Sequence, residues 1–309
     1  MKYMYTDEQN RLLERMERFQ KENSYSQNEA AKIVGITGTV LSQLRSGKYP
    51  NPQRPFDIIR KYFEVKDRAR FTYNEAGYVP TSISTQIYNI IGVCQVKGGL
   101  AVIAGDAGIG KTKAAQKFIA DNPTNSFLIT VNPCLTNIKS LLKTVAEKTG
   151  ASLERSVDEL WNSIARRLSD GMVLIFDEAQ HFTLKDIEVL RSFSDYFTDK
   201  GQTLGICFIG NTETVARIGS KKAEFAQIAN RTKQQKLYTR NQIKRDDIAK
   251  LFPILREDGM EAEIDFLYKI AQTPQGIRGV VNLFSNAYDN KDYSYRGLVS
   301  MAKYMDITV

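Results

Sequence analysis

The chain has 309 residues, 42% hydrophobic and 25% charged, with a net charge of +8 and a pI ≈ 9.2. That length buries a sizeable core and suffices for roughly two or three domains, and the composition is that of a globular protein, not a disordered or fibrous one. No apolar run approaches the about eighteen residues a membrane span needs, the charged N-terminus lacks a secretory signal, and the widely spaced Cys94, Cys134 and Cys207 exclude a disulfide framework or zinc cluster; the expectation is a cytoplasmic protein with buried, reduced thiols and no membrane partner.

Residues 1–65 read as four short helices, Thr6–Glu22, Gln27–Val34, Thr37–Arg45 and Pro55–Phe63. Thr6 with Gln9, and Ser26 with Glu29, have the spacing of capping boxes. Leu12, Leu13, Met16 and Phe19 form a stripe at helical period. The stretch QNEAAKIVGITGTVLSQLRSG, Gln27 to Gly47, has small residues (Ala30, Ala31) where two helices would cross. It has Gly35 at a turn, and Val34, Ile36, Leu41 and Leu44 to lock the pair. It resembles the repressor-type helix-turn-helix. The second helix would turn Thr37, Thr39, Ser42, Gln43 and Arg45 outward, residue types suited to a DNA groove. Residues 66–82, polar and aperiodic with Gly77 and Pro80, read as a linker.

From 83 to 240, short apolar runs alternate with helical patterns. The candidate strands are 100–104, 126–131, 172–176, 204–210 and 235–239, which predicts an α/β core with a parallel five-stranded sheet covered on both faces. After the first strand stands Gly105-Asp106-Ala107-Gly108-Ile109-Gly110-Lys111-Thr112, a full phosphate-loop match followed by a helix. Its glycines let backbone N–H groups turn toward phosphate oxygens, and the helix N-terminus adds positive potential. Lys111 is then the point charge for the β- and γ-phosphates of ATP, and Thr112 a Mg²⁺ ligand. In MVLIFDEAQ, Asp177 ends a strand and is the second Mg²⁺ ligand, while Glu178 orients the attacking water. Gln180 and the lone histidine, His181, either couple the nucleotide state to a neighbour or simply start a helix.

Residues 213–245 carry nine Lys/Arg and two acids, a basic stretch suited to polyanions. Residues 241–309 again read as helical, with apolar stripes such as Ile264, Leu267, Tyr268 and Ile270.

The phosphate loop, the DEAQ strand and the helical tail together resemble the AAA+ ATPases, over most of residues 83–309. That resemblance implies an ATPase using ATP and Mg²⁺ in a P-loop AAA+ core, with a small C-terminal helical lid. It implies that Asn211 in LGICFIGNTE is the first sensor and Arg278 in TPQGIRG the second. It further implies that Arg231, or else Arg217 or Arg240, is an arginine finger acting across a subunit boundary. With a helix-turn-helix in front, the chain resembles the transposon target-selection ATPases of the phage Mu transposition protein B type. Their expected partners are double-stranded DNA, a transposase and further copies of the chain in a helical filament or ring. Lys185, Arg191, Lys221 and Lys222 are candidate phosphate contacts. The same motifs would also serve an AAA+ helicase loader or replication initiator, a secretion-type ATPase, or a nucleotide-sensing helix-turn-helix regulator.

Overall fold

The computed structural model describes residues 4–23, 25–71, 77–135, 137–214 and 232–308. The chain divides into two compact units, Met1–Asn74 and Glu75–Val309.

The first unit is built from α1 (Asp7–Glu22), α2 (Gln27–Val34), α3 (Gly38–Arg45) and α4 (Gln53–Phe71). Both predicted capping boxes form: Thr6 and Gln9 exchange bonds of 3.0 and 3.3 Å, and Ser26 and Glu29 bonds of 2.8 and 3.3 Å. Each box satisfies N–H groups that a helix start leaves without intrahelical partners. Gly35 ends α2 at φ 95°, a left-handed turn that costs glycine no Cβ clash, and α3 then starts one residue later than expected, with Thr37 as its N-cap. Met16, Phe19, Ala30, Ala31, Leu41, Leu44, Phe56 and Ile59 close the core. The fourth helix runs on to Phe71 and takes in the first part of the stretch read as linker, because nothing between Val65 and Arg70 is a glycine or proline that would stop it.

The second unit opens with α5 (Ser82–Lys97). There follow β1 (Gly99–Gly105), α6 (Lys111–Asp121), β2 (Ser126–Thr130), α7 (Ile138–Thr149), α8 (Val157–Arg167), β3 (Met172–Asp177), α9 (Leu184–Asp199), β4 (Leu204–Gly210) and β5 (Thr232–Tyr238). The five strands are parallel in the order β2-β3-β4-β1-β5. Every residue of β3 and of β4 is buried, as their near-continuous apolar runs require. Leu100, Val102, Leu174, Phe176, Ile206 and Phe208 face a core shared with α7, α8 and α9, and α5 and α6 cover the opposite face.

Five helices complete the chain: α10 (Arg245–Leu251), α11 (Pro253–Glu257), α12 (Glu261–Ala271), α13 (Gly276–Asp289) and α14 (Tyr295–Tyr304). Ile248, Leu255, Leu267, Ile270, Val280 and Leu283 are fully or nearly fully buried among them, and the rings of Phe252 and Phe284 meet at 4.3 Å. Among the described residues, no helix is long and apolar enough to cross a membrane. One expectation is corrected: Cys94 and Cys207 are buried, but Cys134 is exposed. It sits in the turn after β2, where its N–H donates to the Asn132 side chain at 2.8 Å, so it is a turn residue and not a core residue.

Candidate nucleotide site

The C-terminal ends of β1, β3 and β4 meet where the strand order departs from the chain order, which is where open α/β sheets form ligand crevices. An open cavity of about 520 Å³ lies there, lined by residues of the loop between Ala107 and Thr112, by Asp177, Glu178 and Asn211, and by Arg278 of α13. The structure therefore brings Ala107, Gly108, Gly110, Lys111, Thr112, Asp177, Glu178, Asn211 and Arg278 around one cavity, whereas Gly105, Asp106 and Ile109 do not line it.

The loop has the backbone its sequence demands. Gly108 and Gly110 lie at φ 75° and 98°, and Gly110 starts α6 without a side-chain cap, leaving the helix's first N–H groups turned to the cavity. Lys111 folds back so that Nζ donates to the carbonyls of Gly105 and Asp106 at 2.8 and 2.7 Å. Burial pushes its ammonium below the ordinary lysine range, against the pull of Asp177, Glu178 and Asp106. The Thr112 hydroxyl donates to Asp177 Oδ2 at 2.7 Å. Asp177 is 3% exposed, and burial raises its pKa although Thr112 and the Glu178 N–H bond to it. A threonine hydroxyl and an aspartate oxygen in contact beside a phosphate loop are a hard-oxygen donor pair, so Thr112 and Asp177 fit a Mg²⁺ ion carried in with ATP.

Glu178 leaves β3 in the left-handed region at φ 61°, its N–H donating to Asp177 Oδ1 at 3.0 Å. Its carboxylate is exposed to the cavity and accepts a short hydrogen bond from the Gln180 amide. Gln180 also accepts the Asn211 N–H at 3.2 Å, so the end of β4 is tied to the DEAQ turn. His181 is exposed at the end of the short 3-10 turn Ala179–His181.

Contacts that no local pattern announces complete the site. Thr130, paired with Asp177 across β2 and β3, lines the cavity. Gly276, at φ 59°, brings the start of α13 onto the loop: a Cβ there would lie 3.0 Å from the Ala107 carbonyl and 3.2 Å from that of Gly108. The Arg278 N–H donates to the Gly108 carbonyl at 3.2 Å, which seats Arg278 over the cavity. Arg240, one of the alternative fingers, is engaged within its own chain: its backbone N–H and its Nε reach Asp106 Oδ2 at 2.9 and 3.0 Å. Burial pushes the Asp106 carboxyl upward, but the bonds and charge of Arg240, with Lys111, outweigh it and leave the pKa below its ordinary value.

The expected DNA contacts that the structure describes lie at α3 in the first unit and on α9 in the second. Thr39, Ser42 and Gln43 are exposed on α3, Thr37 is exposed but caps that helix, and Arg45 donates to Gln27 and Gln20 at 3.1 and 3.0 Å. Lys185 is exposed in the first turn of α9, whereas Arg191 is half-buried and 3.4 Å from Asp195. Arg217, Lys221, Lys222 and Arg231 lie outside the described residues.

Residues 95–218 match the AAA domain family. A phosphate loop on a five-stranded parallel sheet, facing an acidic strand end, within a match to the AAA domain, defines an ATPase, and the chain is such an enzyme. It is similar to transposition proteins of the phage Mu B type. It is 25% identical over 247 residues to the ATP-dependent target DNA activator B of Escherichia phage Mu, covering 78% of this chain and 76% of that protein. It is likewise 25% identical over 293 residues to the Mu-like prophage FluMu DNA transposition protein B of Haemophilus influenzae, covering 92% and 98%. Among solved structures it is similar to Cdc6p from Pyrobaculum aerophilum (TM-score 0.55, 17% identity, 77% of this chain and 71% of that one). The Aeropyrum pernix ORC2 protein gives a TM-score of 0.55 at 12% identity over 76% and 71%. At such identities the likeness to these two is one of fold.

Proposed function

We propose that the chain is an ATP-dependent, largely sequence-nonspecific DNA-binding ATPase of the cytoplasm that assembles on duplex DNA, selects target DNA and recruits a transposase. The observation that carries this reading is the similarity, over 92% of the chain, to a protein named for DNA transposition. Residues 1–65 act as a helix-turn-helix module and 66–82 as the connector, 83–240 as the ATPase core and 241–309 as the lid.

In that reading Lys111 and the loop N–H groups hold the triphosphate, and Thr112 and Asp177 hold Mg²⁺, which supplies charge neutralisation at the phosphates when bound. Glu178 takes the proton of the attacking water, and Asn211 and Arg278 contact the γ-phosphate. A γ-phosphate at a subunit boundary, reached by Arg231 of a neighbour, makes ATP favour assembly and hydrolysis favour release. Basic residues repeated once per subunit, among them Lys185, Lys221 and Lys222, then follow the DNA backbone in a helical filament, with binding that falls steeply with salt. Thr37, Thr39, Ser42, Gln43 and Arg45 add a second, weaker contact whose effect multiplies in an oligomer.

The test is electron microscopy of the purified protein with random-sequence duplex DNA, without nucleotide, with ADP, and with a slowly hydrolysed ATP analogue. Filaments or stacked rings on DNA with the triphosphate alone are the expected result. Isolated particles off the DNA in all three conditions would remove the target-selection reading and leave the ATPase.

A further inference from the structure

We propose that Gln180 is a positioning residue for ATP hydrolysis: its amide clamps the Glu178 carboxylate to the end of β4, so that the carboxylate facing the attacking water and the residue facing the γ-phosphate are set by one side chain. The inference rests on Glu178 being the water-orienting carboxylate.

Three observations carry it. Glu178 stands in left-handed backbone with its side chain exposed in the cavity, so nothing in its own burial selects a rotamer. Its carboxylate is met by Gln180 Nε2, while Gln180 Oε1 accepts the backbone N–H of Asn211 at 3.2 Å. The two ends of the amide are not interchangeable: a carboxylate takes only a donor and a backbone N–H only an acceptor, which also fixes which way the amide points. Finally, the residue before Asn211 is Gly210. A Cβ there would stand 2.8 Å from Gln180 Oε1 and 2.1 Å from Thr214 Oγ1, so the amide reaches Asn211 through a gap that only glycine leaves open.

Asn211 is itself fixed, since its Oδ1 accepts the Glu213 N–H at 2.9 Å. The chain of contacts therefore runs from Glu178 through Gln180 to the end of β4. Asn211, at the far end, lines the cavity beside Lys111 and Arg278. A side chain serving only to brace the turn would need one of these bonds. Meeting both ends with opposite chemistry makes it a spacer between two groups of the site.

The experiment uses the full chain and compares Gln180→Ala, Gln180→Glu, Glu178→Gln and the double variant Glu178→Gln/Gln180→Ala. It measures kcat and KM for ATP, the Kd of a slowly hydrolysed ATP analogue, and Tm. Gln180→Ala is expected to lower kcat on the order of tenfold or more, as misplaced reacting groups do, with the Kd changed by less than about twofold. Gln180→Glu keeps an acceptor for Asn211 but sets a carboxylate against Glu178, and is expected to be at least as slow. In the Glu178→Gln background, Gln180→Ala is expected to cost nothing further, because a residue that works through Glu178 has nothing left to position. Unchanged or faster turnover in Gln180→Ala, with Glu178→Gln slow, overturns the positioning role alone. So does the same loss in both backgrounds, which a brace would give. Normal turnover in Glu178→Gln overturns the assignment of Glu178 and this inference with it.

Discussion

Replacing Asp247 by asparagine tests how the C-terminal helices are fastened to the start of α5. Asp247 is fully buried, and its two oxygens serve different elements. Oδ1 accepts the Ser82 N–H at 2.6 Å and the Ser82 hydroxyl at 3.0 Å, at the start of α5; Oδ2 accepts the Lys244 N–H at 2.9 Å, at the start of α10. Asparagine keeps one acceptor oxygen and turns an NH₂ toward a partner that is itself a donor. One hydrogen bond to a charged group is lost, and a buried N–H is left without an acceptor, for a cost of about 2–4 kcal/mol. In a unit of 150–250 residues each kcal/mol moves Tm by about 2–4 °C, so the expected drop is roughly 5–15 °C by scanning calorimetry. Ser82→Ala removes one hydroxyl bond and keeps the backbone one, and should cost only about 1 kcal/mol. Because α13, among the same C-terminal helices, presses on the phosphate loop, Asp247→Asn should also weaken ATP binding, and saturating nucleotide should recover part of the lost Tm. A drop no larger than that of Ser82→Ala would refute the reasoning.

Other consequences are checked as readily. Lys111→Ala should lose ATP binding and ATP-dependent DNA association together, whereas Glu178→Gln should bind ATP, turn over slowly and stay on DNA longer; filter binding and phosphate release separate the two. Burial pushes the Cys94 thiol up to about 12 and Cys207 well above its ordinary value, while Cys134 is exposed, so a thiol reagent at about pH 8 should label one cysteine in the folded protein and three after denaturation. The Asp106 carboxyl is held below its ordinary value of 3.8, so its contribution to stability is full above that value and lost as pH falls through the lowered one. The denaturation gap between wild type and Asp106→Asn should therefore be wide at about pH 6 and shrink progressively as the pH falls below 3.8.

The strands could be read from the sequence because a parallel sheet covered on both faces needs unbroken apolar runs, and LAVIA, MVLIF and LGICFIG are such runs. The phosphate loop could be read because only glycine takes the backbone required at Gly108 and Gly110. The contacts that finish the site are of another kind. Asp106 and Arg240 are 134 residues apart, Ser82 and Asp247 165 apart, and Gly276 meets the loop only once the C-terminal helices have folded. No local period or cap encodes such pairs. Gln180 stood out beside the acidic pair, but its partner Asn211 lies 31 residues on, at the end of another strand. Only the parallel alignment of β3 with β4 brings the two turns together.

The arginine finger is where this distinction has the most force. Arg240 lies in the basic stretch and just after the last strand, and is one of the alternative finger candidates, yet two of its nitrogens hold one Asp106 oxygen of its own phosphate loop. The backbone N–H would keep its bond if the side chain swung away, but the 20%-exposed Asp106 carboxylate would lose its charge partner. We propose that Arg240 shapes the loop in cis, which leaves Arg231 and Arg217 as the candidates for a trans-acting finger. Mixing inactive variants separates the cases. A subunit carrying Lys111→Ala has no working site of its own but keeps every arginine, so it can lend a finger to a neighbour that lacks one. Arg231→Ala mixed with Lys111→Ala should regain ATPase activity if Arg231 is the finger. Arg240→Ala mixed with Lys111→Ala should regain none, because the Asp106 latch of the Arg240→Ala subunit stays broken. Recovery in the Arg240→Ala mixture would make Arg240 the finger and the Asp106 contact a resting position from which it is released.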